Sequence, residues 1–384
     1  MRCSKQIIFV LLLFQMGQLM PASGQDLVGN TTAEMSSFYI FENYTTTHSD
    51  LTILRMRNGL DYHHPDNWGF STSIFSRAYF GSFLNKYPGY SFLRHNRYDW
   101  INLNHTWTDS SRSFILSRID RAFLYFHKGD FEFRLGRQLI HWGQTLVWNV
   151  NDIFNTHSLL DADRPVKLGS DAARVIWYTG PESVLEFAAK LNRHQEVTAA
   201  VMGRFNHAGL EWQWQTGMVE QQDWMFGGGL TGNIRGMGIR SEFAYYLPLA
   251  ESSRNHTLLA SLGVDFVFAN QVIWQGEILY NQLHDHIPQK PFSNLYATTA
   301  SPKALSISQW SATMNMLYMV SKQFSLAMSS FYFHDYRALL VYPVVGYFPT
   351  SGLELALTIR LSKFQLDANN YNSNMFNIKV LYAI

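Results

Sequence analysis

Residues 353–361 read Leu353-Glu354-Leu355-Ala356-Leu357-Thr358-Ile359-Arg360-Leu361. Every second side chain is a branched aliphatic, and Glu, Ala, Thr and Arg lie between them. Side chains alternate across a β-strand, so one face of this segment is wholly aliphatic and the other polar or small. The pattern recurs up and down the chain. Leu258, Ala260, Leu262, Val264 and Phe266 alternate with Ser261, Gly263 and Asp265. Val272, Trp274, Gly276, Ile278 and Tyr280 oppose Gln271, Gln275 and Glu277. Trp310, Ala312, Met314, Met316 and Tyr318 oppose Ser311, Thr313 and Asn315, and Phe376, Ile378, Val380, Tyr382 and Ile384 close the chain. Each stripe runs about 9–12 residues, the length a tilted strand needs to cross a bilayer. Aromatic residues such as Trp212, Trp214, Tyr245, Trp274 and Tyr280 sit near strand ends, as in the girdles at the two membrane interfaces.

Composition supports the same reading. The 384 residues are 47% hydrophobic, 15% aromatic and only 15% charged, against about a quarter charged in soluble domains. Mean hydropathy is nevertheless only −0.13, and outside the N-terminus no stretch is apolar enough for a spanning helix. Thirty basic and 29 acidic residues leave no basic footprint for nucleic acid. The expected fold is all-β: a transmembrane antiparallel β-barrel of about 16 strands, within a range of 14–18, since single-chain bacterial barrels close with an even number.

The first 24 residues read as a secretory signal peptide. Arg2 and Lys5 precede the apolar run Ile7 to Phe14, and Ala22-Ser23-Gly24 offers small residues for cleavage. Residues 25–384 are then the barrel, with 25–50, rich in Ser, Thr and Asn, expected as a lead-in segment. The single cysteine, Cys3, falls in the signal peptide, so a mature chain without thiols fits a bacterial envelope protein. The last residue, Ile384, is expected to help the barrel-insertion machinery recognise the chain.

Extended connections are expected at 86–96, 141–170, 282–303 and 334–349, and short turns at Thr179-Gly180-Pro181-Glu182, Ala269-Asn270 and Ser362-Lys363. Short turns belong to the periplasmic end of such barrels and long loops to the outer end.

The densest signal begins at Phe131-Glu132-Phe133-Arg134-Leu135-Gly136-Arg137-Gln138-Leu139-Ile140-His141-Trp142-Gly143. It continues through Asn151-Asp152-Ile153-Phe154-Asn155 to Gly169-Ser170-Asp171-Ala172-Ala173-Arg174. This segment resembles a group of bacterial outer-membrane, porin-like barrels that share G-R-Q with a nearby W-G, then N-D-x-F-N, then G-x-D-A-x-R. The resemblance covers about 45 residues and implies an outer-membrane barrel without naming a solute. Two prolines usual in the group's N-P-x-D and F-N-P forms are absent here, at Val150 and Thr156.

Physically, Phe131, Phe133 and Leu135 face lipid, while Glu132 and Arg134 face the lumen. Strict alternation would put Arg137 in lipid, at a cost of about 2–4 kcal/mol at mid-depth. A bulge at Gly136 would turn it inward. The stretch after His141, roughly thirty residues, is longer than most structureless connections, and such connections are usually functional. It carries Asp152, Asp161, Asp163, Arg164, Lys167, Asp171 and Arg174. Folded into the lumen, these charges would lie opposite Arg134 and Arg137 and, with His141, form a constriction that sets selectivity. In the other reading they brace the loop and satisfy one another.

Enzyme constellations are weak. His284-Asp285-His286, His63-His64 and His48-Ser49-Asp50 lack the further positioned groups that hydrolysis or metal binding needs. Gly227-Gly228-Gly229 reads as a barrel bend rather than a phosphate loop. The expectation is a porin for small polar solutes or ions, not an enzyme, with no cofactor or metal. Its partners would be outer-membrane lipid and lipopolysaccharide, the insertion machinery, and a homo-oligomer or envelope protein. The alternative is a non-conducting barrel that anchors an envelope export or assembly complex.

Overall fold

The structure, a computed structural model, describes residues 27–42, 47–86, 99–156, 167–249, 256–282, 301–366 and 369–383. Asp161, Asp163, Arg164, His284-Asp285-His286, Ile384 and the expected signal peptide lie outside the described residues. Among the described residues, nineteen antiparallel strands form one sheet that closes on itself. The first strand, β1 (Leu27–Glu42), pairs with β2 (Thr47–His64) on one side and with β19 (Asn369–Ala383) on the other. Closure satisfies the backbone groups that a free edge would leave exposed to lipid.

Eighteen strands are full staves, and the nineteenth is an addition. Strand β5 (Ser113–Lys128) gives its C-terminal half to β6 (Phe131–Gln138) and its N-terminal half to β4 (Asn104–Asp109), on the side facing away from β3 (Trp68–Phe80). Strand β4 thus takes the place along β5 that β6 leaves vacant. The barrel therefore has 18 staves rather than about 16.

Three local expectations are overturned. Residues 27–42 are a stave, not a lead-in: polar Thr, Asn and Ser side chains mask its alternation, but it pairs along its whole length with β2. The stretch 334–349 is largely strand β17 (Ala338–Thr350) rather than a connection. Its run is apolar on both faces and carries Pro343, which pairs toward Met328 and has no partner in the next strand. Finally, Ser362-Lys363 is no turn. Strand β18 (Leu353–Leu366) runs straight through it. The inward face changes from polar Arg360 and Ser362 to apolar Phe364, which packs in a cluster with Phe333, Ala338 and Leu340. The apolar parity changes because the lumen's contents change, not because the chain reverses.

Elsewhere the alternation reads correctly. Leu262, Ile278, Leu357 and Ile378 are exposed on the outer face, while their neighbours Ser261, Glu277, Arg360 and Asn377 are buried inside. An outer surface of this kind, continued by Leu124, Phe133, Leu135, Phe187 and Phe243, is a lipid-facing belt rather than a soluble exterior. The sheet's core is on its concave side, where the segment after β6 folds inward.

Candidate functional site

Strand β6 delivers the chain into the lumen. Its outward residues Phe131, Phe133 and Leu135 are exposed, and Glu132 is buried inward. At Gly136 the backbone adopts φ +122°, and a Cβ there would lie 2.3 Å from the Ala122 carbonyl oxygen. Only glycine fits. The pairing register continues unbroken on both sides, so the expected bulge is absent and no residue is inserted. Arg137 is nonetheless 1% exposed, because Asp99, Ile101, Ile119 and Asp171 close around it.

Arg137 is the centre of a buried brace. Its Nε and Nη2 donate to the two carboxylate oxygens of Asp171 at 2.8 Å each, a bidentate geometry. Nη2 and Nη1 also donate to the carbonyls of Ile101 at 2.6 Å and Ile119 at 3.1 Å. Asp99 lies 3.5 Å from Arg137 and pairs with Arg118. Burial pushes the Asp99 carboxyl above its ordinary value, although the guanidiniums of Arg118 and Arg137 pull it down. Arg121 donates to the Lys167 carbonyl at 2.9 Å and so holds the far end of the inward segment.

Among the described residues, the other expected wall arginines pair with strand carboxylates. Arg134 pairs with Glu132, which also accepts the Tyr178 hydroxyl at 2.9 Å. Arg174 grips Glu186 with two bonds of 2.6 Å. Arg134 and Arg174 thus pair within the wall, and Arg137 joins Asp171 of the wall to the 99–101 stretch. The loop's Asp152 turns instead to His141 and Lys167.

The inward segment, described at 139–156 and 167–169, packs Ile140, Trp142, Trp148, Val150, Ile153 and Phe154 into one buried cluster with Ala188, Met202, Met225, Ala244, Tyr246, Leu259 and Leu279 of the wall. Trp142 meets Phe154 edge-to-face at 4.8 Å and donates its indole N–H to Glu186 at 2.5 Å. A loop in such a place has backbone amides that neither water nor a neighbouring strand can satisfy. Two wall carboxylates supply the acceptors. Glu242 accepts the amides of Gln144, Thr145 (2.7 Å) and Asn151 (2.9 Å). Glu277 accepts those of Leu146 (3.1 Å), Val147 (3.0 Å) and Trp148 (2.7 Å). Charge-assisted bonds of this kind are among the stronger ones.

The glycines at 227 and 229 make the approach possible. A Cβ at Gly227 would sit 2.6 Å from Asn151 Oδ1, and one at Gly229 would sit 2.2 Å from Gln144 Oε1. The Gly-Gly-Gly stretch is therefore the seat of the inward segment.

Between this segment and Leu305 of a second inward stretch lies a cavity of about 410 Å3, lined by His141, Trp148, Asn149, Asp152 and Lys167 among others. Lys167 Nζ contacts Asp152 Oδ2 at 2.5 Å, His141 Nδ1 at 3.0 Å and Asn149 Oδ1 at 3.1 Å. His141 Nδ1 lies 3.0 Å from the same Asp152 oxygen. Of the residues expected at a constriction, His141, Asp152 and Lys167 are brought together, and Arg137 and Asp171 form the brace nearby. Arg134 and Arg174 are separate wall pairs.

Sequence reasoning missed Glu186, Glu242 and Glu277, the residues that fasten the segment. The signal was present: Glu242 and Glu277 are lone carboxylates at lumen parity on strands whose other inward residues include Ala244 and Leu279, with three glycines on the adjoining strand.

The fold, taken as a whole, is shared with solved barrels. No protein-family model and no curated protein sequence matches the chain. Among solved structures it is similar to OccAB1 of Acinetobacter baumannii, with a TM-score of 0.59 and 9% identity over 95% of this chain and 99% of that one. It is similar to OpdO of Pseudomonas aeruginosa, with a TM-score of 0.58 and 11% identity over 94% of this chain and 97% of that one. The outer membrane protein opdK of Pseudomonas aeruginosa aligns with a TM-score of 0.56 and 8% identity, over 93% of this chain and 99% of that one. At these identities the likeness is one of fold.

Proposed function

We propose that the chain is an outer-membrane diffusion channel for small polar solutes, its lumen narrowed by the inward segment described at 139–156 and 167–169. The observation that carries this reading is the fastening of that segment across the lumen by Glu242 and Glu277, with His141, Asp152 and Lys167 left facing a cavity. A connection buried in a barrel and held by wall carboxylates sets the bore, and the polar groups beside it meet whatever passes. The outer apolar belt and the fold shared with a protein named as an outer membrane protein support the location. The short turns would then face the periplasm.

A second reading has one observation in its favour. The apolar cluster around Trp142 and Trp148 packs the inward segment against the wall from Ala172 to Leu279, as a plug would in a non-conducting anchor barrel. Recording from purified protein in planar bilayers separates the two. Discrete, salt-dependent conductance steps are expected, and a bilayer that stays silent after verified insertion would reject the channel.

A further inference from the structure

We propose that the inner face of three adjacent staves is an uncharged lane that carries the apolar side of a small amphiphilic solute, a proposal that deepens the channel reading and rests on it. The staves are β15 (Trp310–Met319), β16 (Phe324–Phe333) and β17. None of them contains Asp, Glu, Lys, Arg or His, whereas every other described strand contains at least one Asp, Glu, Lys or Arg. Lipid accounts for this on the outer face alone.

Register sets the lane's inner surface. Leu317, Ala327 and Val344 are partners across the three staves, and Asn315, Ser329 and Tyr342 form the next inward row. Phe331, one step further along the same face, meets Tyr342 edge-to-face at 5.8 Å. Leu326, Tyr332 and Val345 alternate with these residues and are exposed on the outer face. The six residues of the two rows are half-buried and keep surface open to the lumen.

The inward segment lies against a different part of the wall. Its apolar cluster runs from Ala172 of β7 (Ser170–Gly180) to Leu279 of β14 (Ile273–Asn281), and there Ala188, Met225, Ala244 and Leu259 are 0% exposed. Among the described residues, its hydrogen bonds to the wall reach no nearer the lane than Glu277 of β14. Phe331 marks the edge of the cluster.

Water decides what such a lane favours. Charged side chains hold water that an apolar group displaces only at a cost, and a wall of Leu, Ala and Val does not. Charge returns at both margins: Lys379 pairs with Glu354 at 2.6 Å on one side, and Arg240 with Asp265 beyond β14 on the other. A solute with an apolar side and a zwitterionic head fits that cross-section, its apolar side on the lane and its head toward a margin.

The test uses the full-length protein in vesicles and two zwitterions of similar size, leucine and glutamine, scored by the rate of vesicle swelling. Leucine should enter faster than glutamine through the parent. Ala327→Lys and Ala327→Asp place opposite charges on the lane, and both should remove leucine's advantage, since either sign holds water. Heat-modifiable gel migration verifies that each variant has assembled. A thiol label reports the lane directly. In a Cys3→Ser background, which removes the chain's only thiol, Ala327→Cys should react with a membrane-impermeant methanethiosulfonate and lose unit current. Ala244→Cys, beneath the inward segment, should stay unlabelled. Ser329→Cys takes the place of Ala327→Cys if that variant does not assemble, and if neither charged variant assembles the parent's two rates and the label decide. Equal rates in the parent, an advantage kept by either assembled charged variant, or a lane thiol that does not react would overturn the lane. Vesicles that swell with neither solute would sink the channel reading and the lane with it, whereas equal rates sink the lane alone.

Discussion

The carboxylate of Glu277 accepts the backbone amide of Trp148 at 2.7 Å, from a residue 129 positions earlier in the chain. With the matching bonds to Leu146 and Val147, this one side chain terminates three amides of a segment that has left the sheet. Replacing it by alanine leaves three amides without this acceptor, that of Trp148 buried and those of Leu146 and Val147 partly so. We expect Glu277→Ala to lower the unfolding free energy by about 1–3 kcal/mol and to increase unit conductance and open-channel noise. Unchanged conductance in an assembled variant would mean that the narrowest point lies elsewhere.

Gly136→Ala places a methyl group 2.3 Å from a backbone oxygen at a φ of +122°. Strain of this kind costs at least about 1–3 kcal/mol before the clash is counted. The folded, heat-modifiable band should fall sharply relative to the parent, whereas Gly129→Ala, whose added methyl has nothing within 4 Å, should assemble with at most a small loss from its own positive φ.

Asp171→Asn removes the charge that Arg137 grips with two 2.8 Å bonds. Breaking one side of a buried pair typically costs about 3–5 kcal/mol, because the remaining charge is left uncompensated. The gel-shift midpoint on heating should drop accordingly. The double variant Arg137→Met/Asp171→Leu should lose less than the two single losses combined, and a simple sum would show that the pair is not coupled.

On the outer face, Leu262→Arg should destabilise the barrel by about 2–4 kcal/mol if the residue lies near the bilayer midplane. The neighbouring lumen position Ser261→Thr should be nearly neutral. Equal effects of the two in a urea refolding titration into vesicles would contradict the assigned faces.

The outer surface was the legible part of this fold, since one physical fact, lipid on one side, writes the stripe around Leu262, Ile278 and Leu357. Legibility fails where the inner surface stops being water. At Phe364 the inward side turns apolar beneath Phe333 and Leu340, and the pattern imitates a new strand. At Ala338 to Thr350 both faces are apolar, and the pattern imitates nothing regular. The bracing pair Arg137–Asp171 was foreshadowed by the parity conflict at Gly136. The fastening by Glu242 and Glu277 was not, because a lumen-facing glutamate reads the same whether it meets solute or a loop's amides. A clue lay in Ala200, Ala244 and Leu279, apolar residues on a face that water would have kept polar.

The seam between β1 and β19 pairs Thr32 with Ala383 and Met35 with Val380, so the earliest stave finds one of its two neighbours only in the latest. No prefix of this chain is a closed object. While the remaining staves are being made, the exposed edge of β1 has nothing of its own to pair with, and contacts this distant in sequence form slowly. Cylinder closure at β1 therefore waits on β19, and removing β19 would leave that edge of β1 unpaired.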